Sequence, residues 1–377
     1  MTAIEQQGRA AAKAARSLAI TPAEEKNRAL LAIADALLRR QEEILAANAA
    51  DLAAGRASGL GSAMLDRLAL TAARMEGIVE GVRQVAALPD PVGVETRRDT
   101  LQSGLLLTRR RVPLGVIGII YEARPNVTVD AAVLCLKAGN AVILRGGKEA
   151  FRSNQALMSI MRDAVDAAGL PRDSLALVQD TSRDSARELM ELTDYLDVLI
   201  PRGGAGLIRS VTANAKVPVI RTGEGVCHIY VDAEADLDMA VRVLYNAKCS
   251  RPSVCNAAEC VLVSRAVAQR FLPMAKAALD EKNVELRGCP ETCAILGAGA
   301  VPATDEDWDS EYGDYILAVK VVSGVDEAME FIADHGTRHS ESILTENAQT
   351  AKRFLDGVDA AAVYHSASTR FTDGFEF

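Results

Sequence analysis

The chain has 377 residues, 49% of them hydrophobic, and its 42 basic and 51 acidic residues give a net charge of −9. That length and apolar content are enough for two domains, each with its own core, and they exclude a small disulfide-stapled scaffold. The negative charge disfavours nonspecific binding to nucleic acid or to anionic membranes. The first residues lack the basic and apolar stretches of a secretory leader, and no apolar run reaches the length of a membrane helix. We therefore expect a soluble cytoplasmic protein.

The first ninety residues predict helices, because apolar side chains recur at helical spacing, for example between residues 30 and 38. One helix is predicted to begin at Thr21 and Pro22, where Thr21 would be the N-cap and Glu24 would complete a capping box. Residues 100–108 then predict a strand that ends in a solvated basic triplet.

From residue 115 onward, short apolar runs alternate with helical stretches. Uninterrupted runs of Val, Ile and Leu between helices are typical of βαβ units whose parallel sheet is covered on both faces. The pattern therefore predicts an α/β fold in two successive regions. The predicted strands are 116–121, 141–144, 175–178, 198–200, 229–232, 260–263, 316–322 and 342–344, and the predicted helices are 130–138, 154–168, 182–192, 237–245 and 267–279.

The seven cysteines do not fit a disulfide framework, because their number is odd and no CxxC spacing occurs. A reducing compartment is therefore expected. Free cysteines are usually small buried apolar residues. Cys255 differs, because Lys248 and Arg251 lie within seven positions and neighbouring cations favour the reactive thiolate. For Cys255 taken alone, a structural role stays the competing interpretation, and the resemblance described next favours Cys255 as the nucleophile. The other cysteines are Cys135, Cys227, Cys249, Cys260, Cys289 and Cys293.

The segment around Cys255, Asn-Ala-Lys-Cys-Ser-Arg-Pro-Ser-Val-Cys-Asn-Ala at 246–257, resembles the catalytic-cysteine loop of the gamma-glutamyl phosphate reductase family. This family, whose members are also called glutamate-5-semialdehyde dehydrogenases, is a proline-biosynthesis branch of the aldehyde dehydrogenase superfamily. Matching segments extend from the N-terminal helices to Phe377. The resemblance implies an α/β protein with a Rossmann-like cofactor domain, an α/β catalytic domain and a small oligomerisation hairpin.

The resemblance also assigns functions to segments of the chain. The N-terminal helices and an NADP(H)-binding domain would occupy 1–100 and 112–228, with an oligomerisation strand at 101–111. A catalytic cysteine domain would occupy 229–365, and 366–377 would return toward the cofactor or oligomerisation region. Family chains continue with a Gly-rich segment and a strand that joins the partner subunit's sheet, so either this sequence is truncated or the protein is unusual. We expect a homo-oligomer that the short C-terminus weakens, and channelling with glutamate 5-kinase is a candidate interaction.

The stretch that follows Pro113 looks like the cofactor unit of the family, although it has no G-x-G-x-x-G fingerprint. Its loop comes directly after a predicted strand, on the side of a parallel sheet where ligands bind. By resemblance the loop would approach the adenosine ribose, and its two cations would suit a 2′-phosphate and hence NADPH or NADP. A solvated loop with two surface charges is the alternative interpretation. The loop residues are Arg145, Gly146, Gly147 and Lys148.

Two further residues match positions with defined roles in the superfamily. Asn126 matches the asparagine whose side-chain amide meets the developing oxyanion, and with the Cys255 backbone N–H it would supply two donors. An asparagine by itself would be an ordinary turn former. Glu311 matches the glutamate that holds the nicotinamide ribose. No metal site is expected.

Residues 367–374 resemble the substrate-side signature of the family. Arg370, within this segment, is a suitable partner for a carboxylate or phosphate. Arg124 and Arg251, elsewhere in the chain, are further candidates for binding an anion. A structural salt bridge is the competing interpretation for each arginine taken alone. The residues assigned to substrate binding are Arg124, Arg251, Ser368, Thr369 and Arg370.

Three more positions bear on the interpretation. Ser366 stands where the family has an asparagine, which would alter hydrogen bonding to the glutamyl group. His339 matches a family histidine, and burial with a hydrogen bond is the favoured interpretation of it. His228 is predicted to lie in the core.

Arg221 occupies the position where hydrolytic aldehyde dehydrogenases place their glutamate base, and an arginine cannot serve as that base. The resemblance therefore predicts NADPH-dependent reduction of L-glutamyl 5-phosphate to L-glutamate 5-semialdehyde and phosphate through a Cys255 thioester. Two alternatives stay open. One is an NAD-dependent hydrolytic aldehyde dehydrogenase, for which Glu224 is the candidate base. The other is a noncatalytic, truncated scaffold of the same fold.

Overall fold

The computed structural model describes residues 1–221 and 223–372 of the chain. The chain forms two compact units, Met1–Thr222 and Gly223–Phe377. Each contains a parallel sheet packed against helices, which confirms the predicted α/β fold class. Within the described residues, no helix is long and apolar enough to span a membrane, and no group of three or more His, Cys, Asp or Glu side chains could hold a metal ion. The functional labels predicted for the segments stay predictions.

In its described residues, 1–221, the first unit has nine α-helices, a β-hairpin and a four-stranded parallel sheet in the order β5-β4-β3-β6. The side chains of β3 and β4 are almost entirely buried, as their uninterrupted apolar sequence predicts. The chain runs outward from β3 to β5 and then crosses back, so β3 and β6 flank a topological switch point. The elements are α1 Ala3–Leu18, α2 Ala23–Arg39, α3 Gln41–Ala57, α4 Ser62–Leu68, α5 Ala72–Ala87, β1 Glu95–Thr100, β2 Leu106–Arg110, β3 Val116–Tyr121, α6 Asn126–Lys137, β4 Ala141–Arg145, α7 Phe151–Ala167, β5 Leu175–Leu177, α8 Arg183–Met190, β6 Val198–Arg202 and α9 Ala205–Asn214.

The predicted strand at 100–108 is wrong in its bounds. Its middle is the turn of an antiparallel hairpin, in which β1 pairs with β2 and Thr100 lies opposite Leu106. Gly104 turns the chain with a φ of 82°, a left-handed conformation that glycine adopts at little cost. The basic residues at 109–111 are exposed at the end of β2, as predicted.

The predicted capping box at Thr21 is also wrong. The hydroxyl of Thr21 donates to the carbonyl of Ser17 at 2.9 Å, so it satisfies the C-terminus of α1 instead of the start of α2. Pro22 takes the N-cap position without a side-chain bond, and α2 begins at Ala23. The hydroxyl of Thr21 can reach both the end of α1 and the start of α2, and the sequence pattern does not show which of the two it bonds.

The second unit contains a seven-stranded sheet in the order β10-β9-β11-β8-β7-β12-β13, and every neighbouring pair is parallel. The predicted strands at 260–263, 316–322 and 342–344 lie in its interior. The elements are β7 Cys227–Val231, α10 Leu237–Cys249, β8 Ala258–Ser264, α11 Arg265–Leu279, β9 Glu285–Gly288, α12 Pro290–Leu296, β10 Val301–Pro302, β11 Ile316–Val322, α13 Val325–His335, β12 Ser340–Leu344, α14 Ala348–Gly357 and β13 Ala362–His365.

The two faces of this sheet build two separate cores. Because successive side chains of a strand point to opposite faces, Ile229 and Val231 pack with α10 and α11. Tyr230 points the other way, into a cluster with Phe331 of α13 and Phe354 of α14. Burial on both faces explains why residues 260–263 of β8 form a continuous apolar run without a polar alternation.

Candidate active site

Cys255 lies in the turn that joins α10 to β8. Five of the seven cysteines are buried, and only Cys255 and Cys293 are half-buried. A nucleophilic thiol must be reachable by its substrate, so burial leaves these two candidates. Cys293 lies on the short helix α12, apart from the sequence that resembles a catalytic loop.

The backbone of Cys255 is held from one side by residues just before β7. Gly225 passes so close that a Cβ atom at this position would lie 1.5 Å from the carbonyl oxygen of Cys255 and 2.9 Å from its Cα. The thiol of Cys227 donates a hydrogen bond to the same carbonyl, with a Sγ–O distance of 3.2 Å. Position 225 must therefore be glycine for the turn to adopt this conformation. Sequence reasoning missed both residues.

Asn256, the buried residue next to Cys255, is held from the other side by the C-terminal segment. Its Nδ2 donates to the carbonyl of Thr372 at 2.8 Å, and its own carbonyl accepts the hydroxyl of Thr369 at 2.7 Å. The guanidinium of Arg370 donates to its Oδ1. Two of the residues predicted to bind substrate, Thr369 and Arg370, thus hold the residue that follows the cysteine.

The C-terminal segment has its own internal order. The hydroxyl of Ser368 accepts the backbone N–H of Arg370 at 3.2 Å, which fixes the short 3₁₀ turn at Thr369–Phe371. Residues 373–377, the rest of the predicted return segment, lie outside the described part of the chain.

Lys248 forms a buried ion pair and is not a free cation beside Cys255. Its Nζ lies 2.6 Å from Oε2 of Glu259, and both side chains are almost completely buried. Burial lowers the pKa of Lys248 and raises the pKa of Glu259, since the charged forms lose hydration, and their mutual attraction opposes both shifts. The pair links the C-terminal end of α10 to the start of β8, on the two sides of the cysteine turn.

Arg251 is the exposed cation of the cysteine turn, so it can meet an anionic ligand. Glu311 is exposed as well, in the loop that precedes β11. The N–H of Gly313 in this loop donates to Oε1 of Glu259 at 3.2 Å. The buried Lys248–Glu259 pair therefore also anchors the loop that carries Glu311.

In the first unit, the two cations at the end of β4 and just after it lie in different environments. Nη2 of Arg145 donates to the carbonyls of Thr181 at 2.6 Å and Ser182 at 2.8 Å, and so holds the loop after β5. Lys148 is exposed and has no partner among the described residues. Of the two predicted phosphate-binding cations, Lys148 is the one whose ammonium group is available to a ligand.

Gly146 is required by close packing. A Cβ here would lie 2.3 Å from Nδ2 of Asn154 and 3.0 Å from the phenol of Tyr121. Thr128 joins these two side chains, because its hydroxyl bonds to Tyr121 at 2.6 Å and donates to Oδ1 of Asn154 at 2.9 Å. At Gly147 a Cβ would lie 2.7 Å from Oε2 of Glu149.

Asn126 is the first residue of α6 and is half-buried. Its Nδ2 donates to Oδ2 of Asp130, one turn further along the helix, at 3.0 Å. Arg124 is exposed in the loop before α6, and its backbone N–H donates to the carbonyl of Glu122 at 2.7 Å.

The carboxyl ends of β3 and β6 lie side by side at the switch point of the sheet, a place that sequence reasoning did not single out. Gly203 and Gly204 follow β6 and lead into α9, and Oε2 of Glu122 accepts the N–H of Gly204 at 3.0 Å. Ligands of open α/β sheets bind at such switch points, and backbone N–H groups at a helix start favour anions. The glycine pair after the apolar strand at 198–200 was the sequence signal for it.

The comparisons with known proteins agree with the geometry of both units. A model of the aldehyde dehydrogenase family matches residues 2–292. A gamma-glutamyl phosphate reductase of Moorella thermoacetica is 58% identical to this chain, over 99% of the chain and 89% of that protein. The chain belongs to the gamma-glutamyl phosphate reductase family. Its counterpart from Halothermothrix orenii is 57% identical, over 98% of the chain and 88% of that protein.

Solved structures give the same result for the fold. The crystal structure of gamma-glutamyl phosphate reductase from Thermotoga maritima matches with a TM-score of 0.96 and 46% identity, and the match covers 99% of this chain and 90% of that one. The resemblance identified from the cysteine loop is thereby confirmed.

Ser366, where the gamma-glutamyl phosphate reductase family is expected to have an asparagine, is in the left-handed region with a φ of 52°. Ser366 lies just after β13, and its N–H donates to the carbonyl of Ile343 in β12 at 2.8 Å. Asparagine adopts this conformation more readily than serine does, so the backbone conformation by itself favours an asparagine at this position.

Of the two histidines considered, His228 lies in the core as predicted. Its side chain is fully buried, and its Nδ1 lies 3.1 Å from Oε2 of the equally buried Glu341. His339 is half-buried and bonds through Nδ1 to the hydroxyl of Ser340 at 3.0 Å. Arg221 is exposed at the end of the described part of the first unit, and Glu224 is half-buried in the second.

Proposed function

We propose that this chain catalyses the NADPH-dependent reduction of L-glutamyl 5-phosphate to L-glutamate 5-semialdehyde and phosphate, a step of proline biosynthesis. The names of its relatives support this substrate. The observation that carries the proposal is the half-buried thiol of Cys255 on a fixed turn. The backbone of Cys255 packs against Gly225, and the next residue, Asn256, is bonded to the C-terminal segment.

The thiolate of Cys255 would attack the acyl carbon, and phosphate would leave to give a thioester. A nucleophile on a turn held from both sides loses little orientational freedom, which favours attack. Bound NADPH would supply the hydride that reduces the thioester. The resulting thiohemiacetal would collapse to the semialdehyde and free Cys255. Asn126 is the proposed side-chain donor to the oxyanion, and its amide would exchange the bond to Asp130 for this one.

The residues of the first unit suit a dinucleotide phosphate. The exposed ammonium group of Lys148 would bind the 2′-phosphate, and Arg145 would support it while holding Thr181 and Ser182 in place. Gly146 and Gly147 are proposed to bring their backbone close to the ribose. Glu311 is the proposed acceptor for the hydroxyls of the nicotinamide ribose.

The substrate-side assignments divide into two groups. Arg124 and Arg251 are exposed and are proposed to bind the phosphate or carboxylate of the substrate directly. Ser368, Thr369 and Arg370 contribute through the segment that holds Asn256, and any contact of Arg370 with substrate would add to this role.

A coupled assay tests the proposal. Glutamate 5-kinase supplies the labile acyl phosphate, and loss of NADPH absorbance reports its reduction. Cys255→Ser is expected to abolish turnover, because a serine hydroxyl lacks the nucleophilicity and leaving ability of a thiolate. Cys293→Ser is the matched control, since Cys293 is the other half-buried cysteine, and it is expected to retain activity.

The same assay separates the alternatives. Loss of activity in Cys293→Ser with retention in Cys255→Ser would contradict the assignment of the nucleophile. Phosphate-independent oxidation of the semialdehyde with NAD⁺ would favour a hydrolytic aldehyde dehydrogenase. A folded protein without any turnover would favour the noncatalytic scaffold.

A further inference from the structure

A second cysteine lies directly beside the proposed nucleophile. Cys227 is the first residue of β7, and its side chain points at the turn of Cys255. Its Sγ lies 3.2 Å from the carbonyl oxygen of Cys255. That oxygen is about 2.4 Å from its own Cα, so the Cys227 sulfur lies within about 5.6 Å of the Cys255 Cα.

A disulfide between these residues needs only a small movement. Bond lengths place each sulfur of a disulfide about 3–4.5 Å from the Cα of the other cysteine. The Cys227 sulfur and the Cys255 Cα would therefore have to approach each other by about 1–2.5 Å from their greatest separation of about 5.6 Å. Cys255 lies on a turn outside any strand or helix, so such a shift breaks no ladder of backbone hydrogen bonds. It does break the bond from Cys227 to the Cys255 carbonyl and loosens the contact with Gly225, so the disulfide would displace the nucleophile from its active position.

The two thiols have opposite environments. Cys255 is half-buried and within reach of a small solute, whereas Cys227 is fully buried. Burial, and the nearby carboxylate of Glu341, raise the pKa of Cys227 well above its usual value, so this thiol stays protonated and inert toward oxidants in solution. The structure brings Cys255 to this buried thiol, so an oxidised Cys255 is a partner with which it can react.

We propose that Cys227 resolves oxidised Cys255 as a reversible intrachain disulfide, which makes the pair a site of modification by hydroperoxides. This inference rests on the proposed function only in requiring a nucleophilic thiol at position 255. Its effect would be to stop turnover while protecting the nucleophile from irreversible oxidation.

The chemistry balances in two steps. The Cys255 thiolate attacks one oxygen of hydrogen peroxide, an S–O bond forms, the O–O bond breaks, and hydroxide leaves. The Cys227 sulfur then attacks the sulfenic sulfur, an S–S bond forms, the S–O bond breaks, and water leaves with the thiol proton. Peroxide gains two electrons, and the two thiols lose one each.

The test treats the intact protein with hydrogen peroxide in the absence of substrate and quenches free thiols with an alkylating reagent. Mass spectrometry of unreduced peptides should show the peptide of Cys227 joined to that of Cys255, lighter by two hydrogens than the separate peptides. Activity should fall in parallel and return to at least four-fifths of its untreated value with dithiothreitol.

Two variants make the test specific, each normalised to its own untreated rate. Cys227→Ser should lose activity in peroxide as the original chain does, but should recover less than one-third with dithiothreitol, because its Cys255 proceeds to the sulfinic acid. Cys260→Ser, which removes a buried cysteine from the neighbouring strand β8, should recover like the original chain.

Equal recovery of Cys227→Ser and the original chain would overturn the proposal, and so would a crosslink of Cys255 to Cys249 in place of Cys227. The peptide readout needs no turnover. A joined Cys227–Cys255 peptide in a protein without reductase activity would therefore reject the proposed function and leave the disulfide standing.

Discussion

Substituting Gly225 with alanine probes how firmly the cysteine turn must be placed. The new Cβ would lie 1.5 Å from the carbonyl oxygen of Cys255. Ordinary contact between nonbonded heavy atoms begins at about 3.5 Å, so the backbones at positions 225 and 255 must separate by about 2 Å. A misplacement of about 1 Å in an active site already costs about 10²-fold, so we expect kcat/KM to fall by at least that factor. Accommodation of the methyl group should also lower the free energy of unfolding by about 1–3 kcal/mol.

The assay is the coupled reduction of the acyl phosphate, with thermal unfolding measured on the same samples. Gly223→Ala is the matched control, because a Cβ at Gly223 would meet no atom within 4 Å. We expect its activity to stay within about threefold of the original chain, since an open surface position tolerates a methyl group. If Gly225→Ala were as active as Gly223→Ala, the contact between Gly225 and Cys255 could not be what positions the nucleophile.

Four further predictions concern the proposed site. Lys148→Ala should lower kcat/KM for NADPH by about 10-fold or more, equivalent to a charge-assisted bond of about 1.5–3 kcal/mol, and leave kcat/KM for NADH nearly unchanged; equal losses would remove its role in reading the phosphate. Asn126→Ala should lower kcat by about 10²–10³ if its amide is an oxyanion donor, whereas Asp130→Ala, which removes its helix partner, should cost less than about tenfold. Because Arg221 cannot act as a base, oxidation of glutamate 5-semialdehyde with NADP⁺ should require phosphate, and vigorous NADPH formation without phosphate would restore the hydrolytic mechanism. Ser366→Asn should raise the thermal midpoint through a gain of about 0.5–1 kcal/mol at its left-handed backbone, and an unchanged or lower midpoint would show that this conformation carries no strain.

The positions of most strands and helices could be read from the sequence. The continuous apolar runs at 116–121 and 260–263 became β3 and β8, because a strand of a parallel sheet buried on both faces leaves no polar alternation. The cysteine loop could also be identified from the sequence, since its residues are contiguous and their resemblance to the family does not depend on distant parts of the chain. The predicted helix cap was wrong where a side chain had two possible backbone partners, as for the hydroxyl of Thr21, which bonds the end of α1 instead of the start of α2.

The surroundings of Cys255 were decided by the tertiary structure alone. Asn256 meets Thr369 from 113 positions away, and this pairing depends on how the C-terminal segment packs against the cysteine turn. Likewise Cys227 approaches Cys255 across 28 positions, because β7 and β8 are parallel neighbours. A sequence pattern reports which side chains are buried along one element. It does not report which distant backbone they meet, because that is fixed by sheet order and register, and these are properties of the whole fold.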